Sequence, residues 1–185
     1  MKERYEIRFS GYGGQGIITA SIILAEAAGI YEGKNVTQTQ SYGPESRGGA
    51  SKSDVVISNE EIDYPKAILL DALVAFNQDS YYAYKGDVKE DGIIIVDSHL
   101  VKFDNTESNV IGIPFSTIAR EKVGKEITTN IIALGALVEK TKIVSRESIE
   151  KAVLAKVPKG TEDLNKKALQ LGFQAMQEAM FIDKK

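Results

Sequence analysis

Phe9-Ser10-Gly11-Tyr12-Gly13-Gly14-Gln15-Gly16 is the stretch on which the reading of this 185-residue chain turns. Just before it, Ile7 and Phe9 alternate with polar residues in Tyr5-Glu6-Ile7-Arg8-Phe9, the mark of a short first strand. Just after it, residues 17–28 read as an apolar helix. Gly11, Gly13 and Gly16 fall between the two at G-x-G-x-x-G spacing. A strand, a tight turn without side chains and a helix N-terminus suit a phosphate or pyrophosphate. The ligand can approach bare backbone there, and the helix's free N–H groups and dipole favour an anion. The competing reading keeps the glycines small only so that strand and helix pack closely. The position of the turn favours the first.

Working outward, residues 35–41 (Asn-Val-Thr-Gln-Thr-Gln-Ser) alternate weakly and are rich in strand formers. They are expected to be the second strand of a βαβ unit, joined to the first by a right-handed connection and parallel to it. A dinucleotide fold usually carries Asp or Glu about 20 residues past the glycines, to hold the ribose hydroxyls. Thr37, Gln38, Thr39 and Gln40 stand there instead, which argues against NAD. The next segment, Ser41-Tyr42-Gly43-Pro44-Glu45-Ser46-Arg47-Gly48-Gly49-Ala50, should leave the same sheet edge as the glycine turn. Open α/β sheets bind ligands at that edge. Arg47 offers a permanently charged fork for phosphate or carboxylate. A solvated surface loop is the bland alternative, but two glycine-rich elements at one edge favour a site.

Further strands are expected at residues 53–58, 73–76, 92–97 and 109–114, with Ile93-Ile94-Ile95-Val96 marking the central one. Tyr81, Tyr82 and Tyr84 fall in an expected helix and are placed against the sheet or a partner rather than on a stacked base. The last third reads as helical: 116–123, a helix opened by Thr128-Thr129-Asn130, one capped by Ser145, and one from about residue 161 to 180. On the last, Leu164, Ala168, Leu171, Ala175 and Ala179 form an apolar stripe for core or subunit contact. Asn130 is read as a cap or near-cap whose amide could equally face a ligand. The fold class is α/β: a Rossmann-like three-layer sandwich with a mostly parallel central sheet and a helical C-terminal part. Residues 1–185 are expected to form a single domain.

A net charge of −3 gives no cue for nucleic acid or an anionic membrane as partner. No segment reads as a signal peptide or a membrane span, so a cytoplasmic location is expected. The chain has no cysteine, which excludes disulfides, thiolate nucleophiles and thiolate-held iron–sulfur clusters within it. Its single histidine, His99, argues against a zinc site. Without a serine in a nucleophile-elbow context, His99 reads as an ordinary loop residue. No catalytic residue and no metal ligand is assigned to the chain.

Two motifs together carry a family resemblance. Gly11-Tyr12-Gly13-Gly14-Gln15-Gly16 with Ser41-Tyr42-Gly43-Pro44-Glu45-Ser46-Arg47-Gly48-Gly49 resembles the gamma subunit of 2-oxoacid:ferredoxin oxidoreductases, in the pyruvate ferredoxin/flavodoxin oxidoreductase catalytic-domain family. Thr129-Asn130-Ile131-Ile132-Ala133-Leu134-Gly135-Ala136-Leu137 and Asn165-Lys166-Lys167-Ala168-Leu169 resemble the same family. The likeness covers nearly the whole chain, and the second motif is its most specific part. The 2-oxoglutarate type is the most similar, followed by other 2-oxoacid types, including the indolepyruvate enzyme.

The resemblance implies a subunit that is inactive alone, within a thiamine-dependent enzyme. In that family a 2-oxoacid and coenzyme A give acyl-CoA and carbon dioxide, with two electrons passed to ferredoxin. Thiamine diphosphate and iron–sulfur clusters are implied in partner subunits of alpha, beta and delta type, with ferredoxin reached through the complex. Coenzyme A is implied in this chain. Carried over residue by residue, the resemblance puts the CoA phosphates on Gly11, Tyr12, Gly13, Gly14, Gln15 and Gly16. It adds a contact at Asn130 and one in the 44–47 loop, where fused members have a lysine and this chain has Ser46 and Arg47. The residues agree with such a ligand: CoA needs no ribose acid, and its 3′-phosphate would be repelled by one and attracted by Arg47. Two alternatives stay open. One is a stand-alone NAD- or flavin-binding protein; the other is a purely structural subunit whose 42–50 loop docks on a partner. An isolated chain could dimerise through surfaces meant for other subunits.

Overall fold

The computed structural model describes residues 4–41, 51–104, 106 and 108–182. Six strands form one sheet in the order β2-β3-β1-β4-β5-β6. They are β1 (Arg4–Gly11), β2 (Asn35–Ser41), β3 (Ser51–Ser58), β4 (Leu70–Ala75), β5 (Val88–Asp97) and β6 (Val110–Ile113). β1, β4, β5 and β6 pair in parallel in that order, while β3 lies antiparallel between β1 and β2. β2 therefore runs in the direction of β1, as its sequence suggests, but is not its neighbour. The residues of β3 explain the insertion. Val55 and Ile57 are buried on one face and Val56 on the other, so β3 needs cover on both sides and takes an interior place. The polar β2 tolerates water and is left at the edge.

The helices are α1 (Ile17–Glu26), α2 (Gln78–Tyr84), α3 (Phe115–Ile118), α4 (Thr129–Thr141), α5 (Arg146–Lys156) and α6 (Glu162–Ile182). Ser145 caps α5 by accepting from the Ser148 N–H at 3.1 Å. α1, α4, α5 and α6 bury one face of the sheet, over Ile7, Phe9, Val55, Ile57, Val74 and Ile95. Leu70, Leu73, Ala75, Ile94 and Val96 point the other way, into a smaller core with Tyr81 of α2 and Val101. This alternation is what a sheet between two layers requires. None of the helices among the described residues is long and apolar enough to cross a membrane.

On the second face, one buried charge cluster joins β1 to its neighbours. Arg8 and Asp54 are directly opposed across β1 and β3 and share two hydrogen bonds of 2.7 and 2.9 Å. The same guanidinium donates to Asp87 at 2.6 Å and lies 4.8 Å from the centre of the Tyr84 ring. Tyr81 is buried in that layer with Tyr84 packed partly against it, as expected of residues set against the sheet, whereas Tyr82 is 63% exposed.

α4 and α6 cross with their backbones in contact. A Cβ on Gly135 would come within 2.5 Å of the Leu169 carbonyl oxygen, and one on Gly172 would collide with the Ile132 carbonyl. Gly172 draws the face of α6 towards itself. The buried stripe is Ala168, Leu169, Gly172, Phe173 and Met176, rotated from the expected one, and Leu171, Ala175 and Ala179 are half-buried at its side. Glu139, nearly buried on α4, accepts from Arg146 of α5 at 2.6 Å, from Gln177 of α6 at 3.0 Å and pairs with Lys142 at 2.7 Å.

Gly172→Ala should therefore force the two helices apart and lower stability by about 1–3 kcal/mol, read by urea unfolding. Burial alone would raise the Glu139 pKa, but the hydrogen bonds from Lys142, Arg146 and Gln177 leave it below the ordinary glutamate value. Such a carboxylate stabilises the fold above its unfolded pKa, and that contribution is lost as pH falls through the lower folded value. Glu139→Gln should lower the melting temperature at neutral pH and flatten its decline towards acid, as followed by thermal unfolding across that range.

Candidate functional site

The glycine turn is held from behind. β1 ends on Gly11, where a Cβ would crowd the Gln15 side chain, Ile17 and Phe76. The Gln15 N–H donates to the Tyr12 carbonyl at 3.2 Å, and its side chain folds back over the turn. Gln15 Oε1 accepts from the Tyr12 N–H at 2.6 Å and from Asn77 Nδ2 at 3.2 Å. Gln15 thus ties the turn to the end of β4. Gly14 (φ 90°) and Gly16 (φ 74°) adopt left-handed conformations that side chains resist.

In front, the turn is locked to another helix. Asn130, in the first turn of α4, donates from Nδ2 to the Gly16 carbonyl at 3.1 Å. A Cβ on Gly16 would lie 2.5 Å from that nitrogen. Thr128, at the cap of α4, makes no side-chain capping bond, so Asn130 serves α1 rather than its own helix. The same contact joins the two helix starts.

These elements enclose a cleft of about 690 Å³, within the usual range for small-molecule sites. Its walls come from the turn, from the starts of α1, α4 and α6, and from Val157 and Pro158 after α5. Three helix starts therefore border one space, and the positive ends of their dipoles lie at its edge. Ser41 and Ser51, which end β2 and begin β3, also line it.

The cleft sits in a recognisable setting. A family model for pyruvate ferredoxin/flavodoxin oxidoreductase matches residues 6–175. The chain belongs to that family. A 2-oxoglutarate synthase subunit KorC from Methanocaldococcus jannaschii is 52% identical over 181 residues, spanning 96% of this chain and 97% of that protein. The gamma subunit of a keto/oxoacid ferredoxin oxidoreductase from Geobacter sulfurreducens has the same fold at a TM-score of 0.88, with 49% identity over 95% of this chain and 98% of that one. A 2-oxoglutarate:ferredoxin oxidoreductase from Magnetococcus marinus, solved with 2-oxoglutarate, coenzyme A and succinyl-CoA bound, matches at a TM-score of 0.83 and 25% identity. It covers 96% of this chain, which corresponds to 32% of that larger one. The Rossmann-like α/β fold and the gamma-subunit likeness expected from the motifs agree with these relatives.

Within the oxidoreductase fold, the residues singled out by sequence divide into two groups. Tyr12, Gly13, Gly14, Gly16 and Asn130 come together on the cleft wall, whereas Gly11 and Gln15 support the turn from behind. Ser46 and Arg47 lie outside the described residues, bracketed by the cleft residues Ser41 and Ser51. The Tyr12 hydroxyl donates to Asp79 at 2.6 Å, and that hydrogen bond raises the Tyr12 pKa. His99 is exposed after β5, with its N–H bonded at 3.1 Å to Asp97, whose pKa burial raises.

The cleft also contains residues that sequence reading passed over. Lys156 is the cation among the described lining residues, paired with Glu26 at 2.9 Å. Thr161 and Asn165 belong to the start of α6, and Ile127 stands on the rim, 82% exposed. Asn165 opened a family-like motif, but nothing local tied that motif to the glycine turn.

Gly16→Ala should cost about 1–2 kcal/mol from its left-handed backbone and more from displacing Asn130. In an Asn130→Ala background the backbone part should remain with only the 3.2 Å contact to the Cβ of residue 130. The double variant, measured by urea unfolding, is expected to be less destabilised than the sum of the two single changes.

Proposed function

We propose that this chain is the gamma subunit of a 2-oxoglutarate:ferredoxin oxidoreductase, a single Rossmann-like domain that holds coenzyme A for the reaction. In the overall conversion, 2-oxoglutarate and CoA yield succinyl-CoA, carbon dioxide and a proton, and two electrons pass to ferredoxin. Thiamine diphosphate and iron–sulfur clusters belong, in this reading, to alpha, beta and delta-type partners in the cytoplasm. The cysteine-free sequence fits that division.

One observation carries the assignment: a side-chain-free turn and three helix starts converge on a ligand-sized cleft. The relative solved with CoA bound supports it. Gly13, Gly14 and Gly16 leave backbone open to the diphosphate, the helix dipoles oppose its charge, and Lys156 adds a cation at the wall. Asn130 keeps the turn in shape, with Gly11 and Gln15 behind it. A further contact belongs, in this reading, to Ser46 or Arg47, and the Arg47 guanidinium suits the 3′-phosphate. Thr37, Gln38, Thr39 and Gln40 supply no acid for a free ribose diol, which disfavours NAD.

In the assembled enzyme, Asn130→Ala combined with Lys156→Ala should raise the KM for CoA by roughly tenfold or more. The KM for 2-oxoglutarate should stay near its original value. An unaltered KM for CoA would reject the site. Protection of the complex against thermal unfolding by NAD but not by CoA would reject the ligand.

A further inference from the structure

Asn165 stands in the first turn of α6, only 7% exposed, in the cleft wall beside Val157, Pro158 and Leu164. Its amide nitrogen donates twice to Thr161, at 2.9 Å to the carbonyl oxygen and 3.0 Å to the hydroxyl. A carbonyl can only accept, so the orientation of the amide is settled by its partner. The side-chain oxygen is then the atom left without a hydrogen bond. That oxygen is not one of the described side-chain atoms closed off without a partner, so it opens onto the cleft that Asn165 lines, where an N–H or O–H of the ligand can pair with it. A phosphate has no donor to offer at neutral pH and would be repelled by that oxygen. Asn165 therefore serves some other part of the molecule.

Resting on the CoA reading above, we propose that Asn165 Oδ1 accepts a hydrogen bond from the exocyclic amine of the adenine, making Asn165 the residue that selects the base. The glycine turn occupies the diphosphate. The pantetheine arm must leave the cleft to bring its thiol to an adduct held by a partner, so the base is the part that stays. Val157, Pro158 and Leu164 give a flat ring apolar surface, and the amine places a neutral N–H donor at its edge. Asn130 shares the arrangement, with its nitrogen committed to Gly16, but it sits against the turn, at the diphosphate end.

The test compares CoA with its hypoxanthine analogue, in which a carbonyl oxygen replaces the amine, as substrates of the assembled oxidoreductase. For the unaltered enzyme the analogue's KM should be about five- to a hundredfold higher, with kcat little changed. Asn165→Ala should raise the KM for CoA and bring the two substrates to within about twofold of each other. Equal KM values in the unaltered enzyme would overturn the proposal while leaving CoA in the cleft. An Asn165→Ala enzyme that melts earlier but keeps the full preference would overturn it too, by reducing Asn165 to a capping residue. If neither compound's KM responds to any cleft substitution, the CoA reading itself fails. Where Asn165→Ala does not assemble, Asn165→Ser takes its place in the same comparison, and a full preference kept by it overturns the proposal.

Discussion

The backbone contact between α4 and α6 governs how this molecule makes a site. Gly135 and Gly172 bring the two helices together with no side chain between them. At that separation both can present their first turns to the end of β1. Asn130 completes the arrangement by fastening α4 to the carbonyl that precedes α1. Each helix start alone offers a weak, water-screened attraction to an anion; three starts around one partly enclosed volume act together, at a lower effective dielectric.

The legible part of the chain was the local part. Strand, glycine turn and helix follow one another within residues 4–26, so their order could be read from spacing and periodicity. Neighbour relations in the sheet could not. β2 shows a strand pattern, but its exclusion from β1 depends on the two-sided apolar character of β3, which competes for the same edge. Helix periodicity gave α6 its existence and near-correct limits, yet the face it buries follows from one glycine meeting another helix.

The same division holds at the site. Glycines announce a tight turn with open backbone because the absence of a side chain is visible in sequence. Whether a polar side chain faces the ligand or folds back is not visible: Gln15 braces the turn and Asn130 bridges to Gly16 across 114 positions. Lys156 escaped notice, and Asn165 was seen only as part of a motif, for the related reason that α5 and α6 reach the cleft only through tertiary packing.

The Arg8–Asp54 pair carries a last consequence. The two residues are exact cross-strand partners on the face opposite the main core, while Ile7 and Phe9 point into that core. Sliding β1 by one position along β3 would drive the guanidinium under the helices and leave Asp54 as a lone charge in a dry interior. A slip of this kind exchanges every inward residue for its outward neighbour, and an uncompensated buried ion is among the costliest errors a chain can make. The pair thus works as a key that admits a single alignment of two adjoining strands, and so sets the height at which the loop after β1 emerges.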